Sequence, residues 1–432
     1  MITAQDIAIH RAAPPRQVAA PPAPTAAFSE RLLLLVLYVT VLASSVAFIE
    51  PSPHDALMGV LALACLVAGG RFERHIALLF LLLLIWNVAG LLSLLNVPGL
   101  EQTVQYAGTS IYLAVAAVLF ASLFAHNTMP RLVAVRAAYV LTATLISLAG
   151  IAGYFHLFPG AHDLFATYDR ALGGFKDPNV FGPFLIWPAL VVLDRILVRR
   201  SRIADVLVVG ILLLALLLSF SRGAWFHFAV SCVVMLILAF ATAETPRTRL
   251  RIFAMSAIGV TALATFIVIL LSFDAIANMF QERAQLIQSY DVGSGGRFGL
   301  QELAITDLLN FPNGMGPFEF ARVHGLQQHN VYLQAFLVYG WAGGMAYLTL
   351  LAATFWTALR TVFVRTPWQP YLICAFATFV GEVLEGFVID TDHWRHFFLL
   401  LGMIWGLAAA TFNHVRDRSV PPPAGRFSHV GA

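Results

Sequence analysis

Charge is what this 432-residue chain has least of: Asp, Glu, Lys and Arg together make up 11%, against about 25% in soluble domains. The hydrophobic share is 59%. So few charges cannot clothe an exterior that faces water, which excludes an ordinary soluble globular fold. Cysteine is also scarce. Cys65, Cys232 and Cys374 each fall inside an apolar run, where they read as small apolar side chains and not as a disulfide framework. No Cys/His spacing of the zinc kind occurs. A Gly-x-Gly-x-x-Gly loop and a Walker A motif are both missing, so no nucleotide engine is expected. The net charge of +3 says little by itself, and no nucleic-acid partner is expected.

What is present is a succession of apolar runs. A bilayer crossing takes about 20 apolar residues. On that measure twelve spans are predicted, at 31–49, 54–69, 75–95, 107–125, 131–152, 179–197, 203–219, 223–241, 251–273, 329–358, 370–388 and 396–414. The second is short, and the tenth carries a Gly343-Gly344 pair at which it can break. Residues 1–27 are rich in Ala and Pro and read as a disordered cytoplasmic tail. The membrane domain is expected over 28–414, with a second cytoplasmic tail over 415–432. The fold class is therefore all-α, a polytopic helix bundle.

Basic residues test the count. With the N-terminus inside and the spans alternating, all but seven of the 26 Lys and Arg fall on the cytoplasmic side, as the positive-inside rule requires. The exceptions are Arg170, Lys176, Arg222, Arg283, Arg297, Arg322 and Arg395. The outer side then carries two long loops, 153–178 and 274–328, which also gather Asp163, Asp169, Asp177, Glu302, Asp307 and Glu319. In the second loop Ile276, Met279, Phe280 and Ile287 recur at helical spacing, as do Leu300, Leu303, Ala304 and Leu308. Two short amphipathic helices lying over the bundle are predicted.

The longest polar interval runs from Gly293 to Gly340. It holds a glycine hinge (Gly293, Gly295, Gly296), Arg297, a Pro312-Asn313-Gly314 turn and His329-Asn330 at the mouth of the tenth span. Arg222 sits in SFSRGAW, where two spans meet with almost no loop. It is either a snorkelling arginine with Trp225 as interfacial anchor or a bidentate fork for phosphate. Arg297 is either a solvated residue of a surface helix or, at a helix start, half of an anion site. His329 is either a hydrogen-bonded polar group or a base that titrates near neutrality. Asn330 caps a helix or orients a hydroxyl. In GGFKDPN, Asp177 precedes Pro178 as an N-cap would, and Lys176 can add charge toward a phosphate. Arg395 belongs to the cluster DTDHWRH, which reads as a hydrogen-bonded cap sooner than as a metal site, whose spacing it lacks; with Asn330, Lys176 and Asp177 it is also a candidate for substrate binding. Glu382 and Glu385 lie late in the eleventh span, where carboxylates are functional candidates by default.

Taken in order, GGFKDPNVFG, SFSRGAW, GGRFGL, FPNGMGPFEF and QHNVYLQAFLVYGWAGG resemble the O-antigen ligase and polymerase superfamily of bacterial inner-membrane proteins. The likeness covers about residues 170–345. It implies a periplasm-facing glycosyltransferase that needs no metal or other cofactor. The implied donor is a glycan on undecaprenyl pyrophosphate, reached from among the membrane lipids. The implied acceptor is a hydroxyl of lipid A–core in a ligase, of a growing polysaccharide in a polymerase, or of a protein side chain. By position the family's loop histidine falls on His329, and its two important arginines fall on Arg222 and Arg297. Gln327-Gln328 departs from the small or charged residues expected before His-Asn, which bears on the acceptor more than on the reaction. Ligase is favoured over polymerase by the moderate size of the outer loop that carries the histidine and by the compact twelve-span layout. A lipid-glycan transporter would instead place polar residues through the bundle midplane, whereas these spans are mostly Leu, Val, Ala and Ile. A structural anchor would leave the outer arginines and the long loop without a purpose.

Overall fold

The computed structural model describes residues 24–49, 51–97, 101–198, 202–283, 293 and 296–419. The tail expected over 1–27 lies outside the described residues as far as 23, and that expected over 415–432 does so from 420. Helices run in the order α1 (Pro24–Leu42), α2 (Pro53–Val67), α3 (Ala77–Ser93), α4 (Glu101–Ala125), α5 (Thr128–Tyr154) and α6 (Ala161–Phe165). There follow α7 (Pro178–Phe184), α8 (Ile186–Val198), α9 (Ile203–Leu218), α10 (Arg222–Thr242), α11 (Pro246–Leu270) and α12 (Asp274–Arg283). The chain continues with α13 (Arg297–Asn310), α14 (Glu319–His324), α15 (Val331–Val362), α16 (Gln369–Glu385) and α17 (Arg395–Ser419). A two-residue antiparallel ladder, Ala166–Thr167 with Arg170–Ala171, interrupts the otherwise helical architecture inside the 153–178 loop.

Among the described residues nine helical stretches are long and apolar enough to cross a membrane. The chain is a multi-pass helical membrane protein. Three helices at positions expected to span are shorter: α2 has 15 residues, α9 has 16 and α16 has 17. At about 1.5 Å per residue each falls short of a hydrocarbon core of about 30 Å. Capping sets the starts of two of them. Asp55 accepts from the Ser52 N–H at the start of α2, and Asp205 accepts from the Arg202 N–H at the start of α9.

Without a large hydrophobic gain between lipid-bathed helices, close approach decides which helices pair. α17 lies on α4, α15 on α3 and α10 on α16. Gly402 and Gly406 set the α17–α4 pairing. A Cβ on Gly402 would meet Phe120 Cβ at 2.5 Å, and one on Gly406 would meet the Ala121 carbonyl at 2.6 Å. α11 is almost wholly exposed to its surroundings and marks the periphery. α7 and α8 form one apolar stretch that breaks at Leu185, where Pro188 has no N–H to give the Phe184 carbonyl.

The break in α15 lies at Gly340, three residues before the Gly343-Gly344 pair expected to allow it. Gly340 has φ +65° and ψ −172°. The Pro312–Gly316 turn fills the gap: Trp341 N–H donates to the Pro312 carbonyl (2.8 Å), and Met315 N–H donates to the Leu337 carbonyl (2.7 Å). A Cβ on Gly340 would meet Pro312 O at 2.7 Å. Glycine is needed there for both its conformation and the close backbone approach.

The two loop helices form where the apolar spacing placed them. α13 docks by Leu300 and Ala304 onto Met315, Phe320 and Leu337, a small apolar cluster apart from the main core. Leu303 points outward. α12 carries Ile276, Met279 and Phe280 inward, and Ile287 lies outside the described residues. The indole of Trp225 on α10 stacks on Phe280 at 5.4 Å and donates to the Leu216 carbonyl at 3.1 Å. That contact holds α12, and Arg283 at its end, against the start of α10.

Candidate active site

Two helices begin with the arginines singled out above. Arg222 is the first residue of α10, after the N-cap Ser221, whose hydroxyl accepts from Ala224 N–H. Arg297 is the first residue of α13, after the N-cap Gly296. Both helix starts border one cavity of about 370 Å³. Its wall also includes Arg170 and Arg283. Four guanidinium groups and the first turns of two helices therefore meet one space. Helix starts carry partial positive charge and outward backbone N–H groups, which favours anions. The arginine at 170 is held from behind: its Nε donates to the Ser219 carbonyl and its Nη2 to Asn179 Oδ1, each at 2.8 Å. Phe226, Phe298, Leu384 and Val388 line the same cavity and are exposed at the protein surface. That apolar rim suits a lipid chain.

Glu385 closes one side of the cavity. It is 1% exposed, and its Oε2 lies 2.8 Å from His227 Nδ1. His227 Nε2 faces the Thr378 carbonyl at 2.9 Å, so that nitrogen carries a hydrogen. The Glu385–His227 pair then holds one proton between them and is net neutral in either arrangement. It adds no net negative charge to the arginine cavity. Gly223 leaves room for the carboxyl, since a Cβ there would meet Glu385 Oε1 at 2.6 Å. Deeper still, His396 Nε2 lies 3.6 Å from Glu382 Oε1. Among the described residues no group of three or more His, Cys, Asp and Glu is placed to hold a metal ion.

His329 precedes α15 and does not line the arginine cavity. Its Nδ1 lies 3.5 Å from Asp390 Oδ2, longer than a formed hydrogen bond, and the imidazole is half exposed. Its backbone sits at φ +48°, in the left-handed region. Strained backbone of this kind gathers at functional sites. Burial raises the Asp390 carboxyl above its ordinary range; the His329 imidazole lowers it in part, and Asp392 adds to the rise. The histidine is tied to the cavity through its neighbours. Gln301, one turn beyond Arg297 on α13, donates to the carbonyls of Gln328 and Phe387, each at 3.4 Å. Ile389, next to Asp390, is part of the cavity wall.

The remaining candidates stand outside the arginine cavity's lining. Asn330 is the N-cap of α15, accepting from Tyr332 N–H (3.0 Å) and Leu333 N–H (3.2 Å), and its amide donates to the Phe387 carbonyl. Asp177 is the N-cap of α7, accepting from Asn179 N–H at 2.8 Å. Lys176 is exposed and stands outside the arginine cavity. Arg395 is also outside it; its Nε and Nη2 each reach Asp55 at 2.9 Å. Arg322 pairs with Glu319 at 2.7 Å. Arg170, Arg283 and Asp390 were not singled out from the sequence. The two arginines were nonetheless among the seven exceptions to the charge rule, and Asp390 opened the DTDHWRH cluster. His227 carried no sequence signal, because one histidine inside an apolar span has the look of any buried polar residue. No family model matches this chain, and no curated protein matches it either.

Proposed function

We propose that this chain is a membrane glycosyltransferase that moves a glycan from undecaprenyl pyrophosphate to an acceptor hydroxyl, with lipid A–core as the acceptor of an O-antigen ligase. The observation that carries the reading is the convergence of Arg170, Arg222, Arg283 and Arg297 on one cavity with an apolar, open rim. A diphosphate on an isoprenoid tail needs both parts. The proposed topology has twelve spans with both termini in the cytoplasm and the cavity facing the periplasm. In that frame the site lies on the side where the positive-inside rule disfavours arginine, so its four arginines need a functional reason.

In the proposed reaction the acceptor oxygen attacks the anomeric carbon of the donor. The bond from that carbon to the phosphate oxygen breaks, and undecaprenyl pyrophosphate leaves with the electron pair. The guanidinium groups stabilise the charge that builds on the leaving diphosphate. His329 takes the proton of the attacking hydroxyl. Its Nδ1 is turned to Asp390, which leaves Nε2 for the acceptor, and distances such as 3.5 Å shorten when substrate engages. A polymerase would use the same donor chemistry with a lipid-linked glycan as acceptor.

The test is transfer by the purified full chain in lipid nanodiscs, supplied with an undecaprenyl-pyrophosphate-linked glycan. Free undecaprenyl pyrophosphate should form when lipid A–core is added. Formation only with a second lipid-linked glycan assigns polymerase. No release with either acceptor removes the ligase and polymerase readings.

A further inference from the structure

A second cavity, of about 670 Å³, opens beside α4. Its charged groups are satisfied by one another. The Arg395 fork is bidentate on Asp55. His393, which lines the cavity, has its Nδ1 3.1 Å from Asp392, a carboxylate that is not part of the lining, is 3% exposed and accepts from Tyr106 Oη at 2.8 Å. This arrangement does not call for an anion or a cation. What remains for a ligand is neutral: the exposed amides of Gln102 and Gln105, which donate and accept, and the rings of Tyr106, Tyr112 and Phe318 in the wall. Tyr106 is fixed by its neighbours, with the His393 ring at 3.9 Å and Phe318 edge-on at 5.3 Å. Rigid rings beside amides suit a ligand with apolar C–H faces and a fringe of hydroxyls, which is the make-up of a sugar. Pockets of about 300–1,000 Å³ hold a ligand of drug size, the bulk of a short oligosaccharide.

Position supports this reading. The segment from Val388 to His393 has its first residue in the arginine cavity and its last in this one. Asp390, the partner of His329, lies between. Gln334, on the first turn of the helix that follows His329, reaches Tyr106 Oη at 3.4 Å. The candidate base is thus linked through its neighbours in the chain to both cavities.

We propose that the second cavity is a carbohydrate subsite, which holds uncharged sugar residues of the acceptor or of the donor glycan beside the reacting hydroxyl. Its role rests on the glycosyl-transfer reading, but its occupancy can be measured without it. The probes are the methyl glycosides of cellobiose, lactose and mannobiose, used in saturation-transfer NMR on the full chain in nanodiscs. At Gly108, which lines the cavity, an added Cβ would meet nothing within 4 Å. Gly108→Leu therefore adds bulk to the space from an unhindered Cβ, and Gln105→Ala removes one exposed amide. At least one probe should give a signal that inorganic pyrophosphate leaves unchanged and that both variants reduce, with helical content preserved. No signal from any probe, a signal that survives Gly108→Leu, or one displaced by pyrophosphate overturns the subsite. Binding without any glycosyl transfer keeps the subsite and removes the reaction. Where transfer occurs, Gly108→Leu should raise one KM by about tenfold, equivalent to about 1.4 kcal/mol, with kcat near parental. A rise for the acceptor assigns its sugars to the cavity, a rise for the donor assigns the donor glycan, and no change in either overturns the proposal.

Discussion

His329 is held at φ +48°, a conformation that costs a non-glycine residue on the order of 1 kcal/mol. Asn adopts it more readily than most residues, so His329→Asn removes the imidazole without adding backbone strain. A positioned base contributes about 10²–10⁴-fold. The expected result is a loss of kcat in that range with thermal stability unchanged; transfer within a few-fold of the parent would make His329 a binding or capping residue instead. Asp392 gives a prediction in pH. Burial alone would raise its carboxyl, but the His393 charge, the His393 hydrogen bond and the Tyr106 hydroxyl outweigh burial and hold it below its usual 3.8. A carboxyl lowered on folding stabilises the fold above its unfolded value and loses that contribution as pH falls through the folded one. Melting temperature should therefore drop as pH is taken below 3.8, and Asp392→Asn should flatten that part of the drop. A variant as acid-sensitive as the parent would contradict the assignment. At this scale the sequence disclosed the residues that stand out against a rule, such as the arginines that the proposed topology leaves outside. It did not disclose Asp390 or His227, whose roles depend on a partner distant in sequence.

The break in α15 is the element on which the loop is hung. The Pro312–Gly316 turn binds to the backbone groups freed at Gly340. Leu300 and Ala304 bind α13 to the neighbouring Leu337, so the break also sets where Arg297 stands. Gly340→Ala would place a Cβ 2.7 Å from Pro312 O in a left-handed conformation. The expected cost is about 1–3 kcal/mol, together with reduced transfer. The same change at Gly210 in α9, where a Cβ would meet nothing within 4 Å, should leave melting temperature unchanged or raised. Equal effects at the two positions would show that the break carries no strain. Periodicity made both loop helices legible. The site of the break was not, because the Gly343-Gly344 pair has the stronger local signal. What selects Gly340 is a turn that arrives from about 25 residues earlier in the chain.

On the scale of the whole molecule, the apolar runs disclosed a helical membrane bundle, and nine stretches meet the length and hydropathy of a span. The count of twelve came from the apolar runs and was tested by loop charge; α2, α9 and α16, at 15, 16 and 17 residues, fall below the length of a full crossing. Reporter fusions decide it. Fusions at Asp163 and Asn313 should both read as periplasmic and one at Arg199 as cytoplasmic. A cytoplasmic signal at Asn313 would contradict the topology and put the arginine cavity on the wrong side for a lipid-linked donor outside the cell.

The central claim is that the arginine cavity clamps a diphosphate, and one comparison tests it most directly. Arg222→Lys and Arg297→Lys keep the charge and remove the bidentate fork. Each is to be measured beside the parent for release of undecaprenyl pyrophosphate from the lipid-linked donor, in nanodiscs at matched protein levels. Loss of one charge-assisted fork is worth about 1.5–3 kcal/mol, so the account predicts that each lysine variant is slower by about tenfold or more. Near-parental release by both would contradict it.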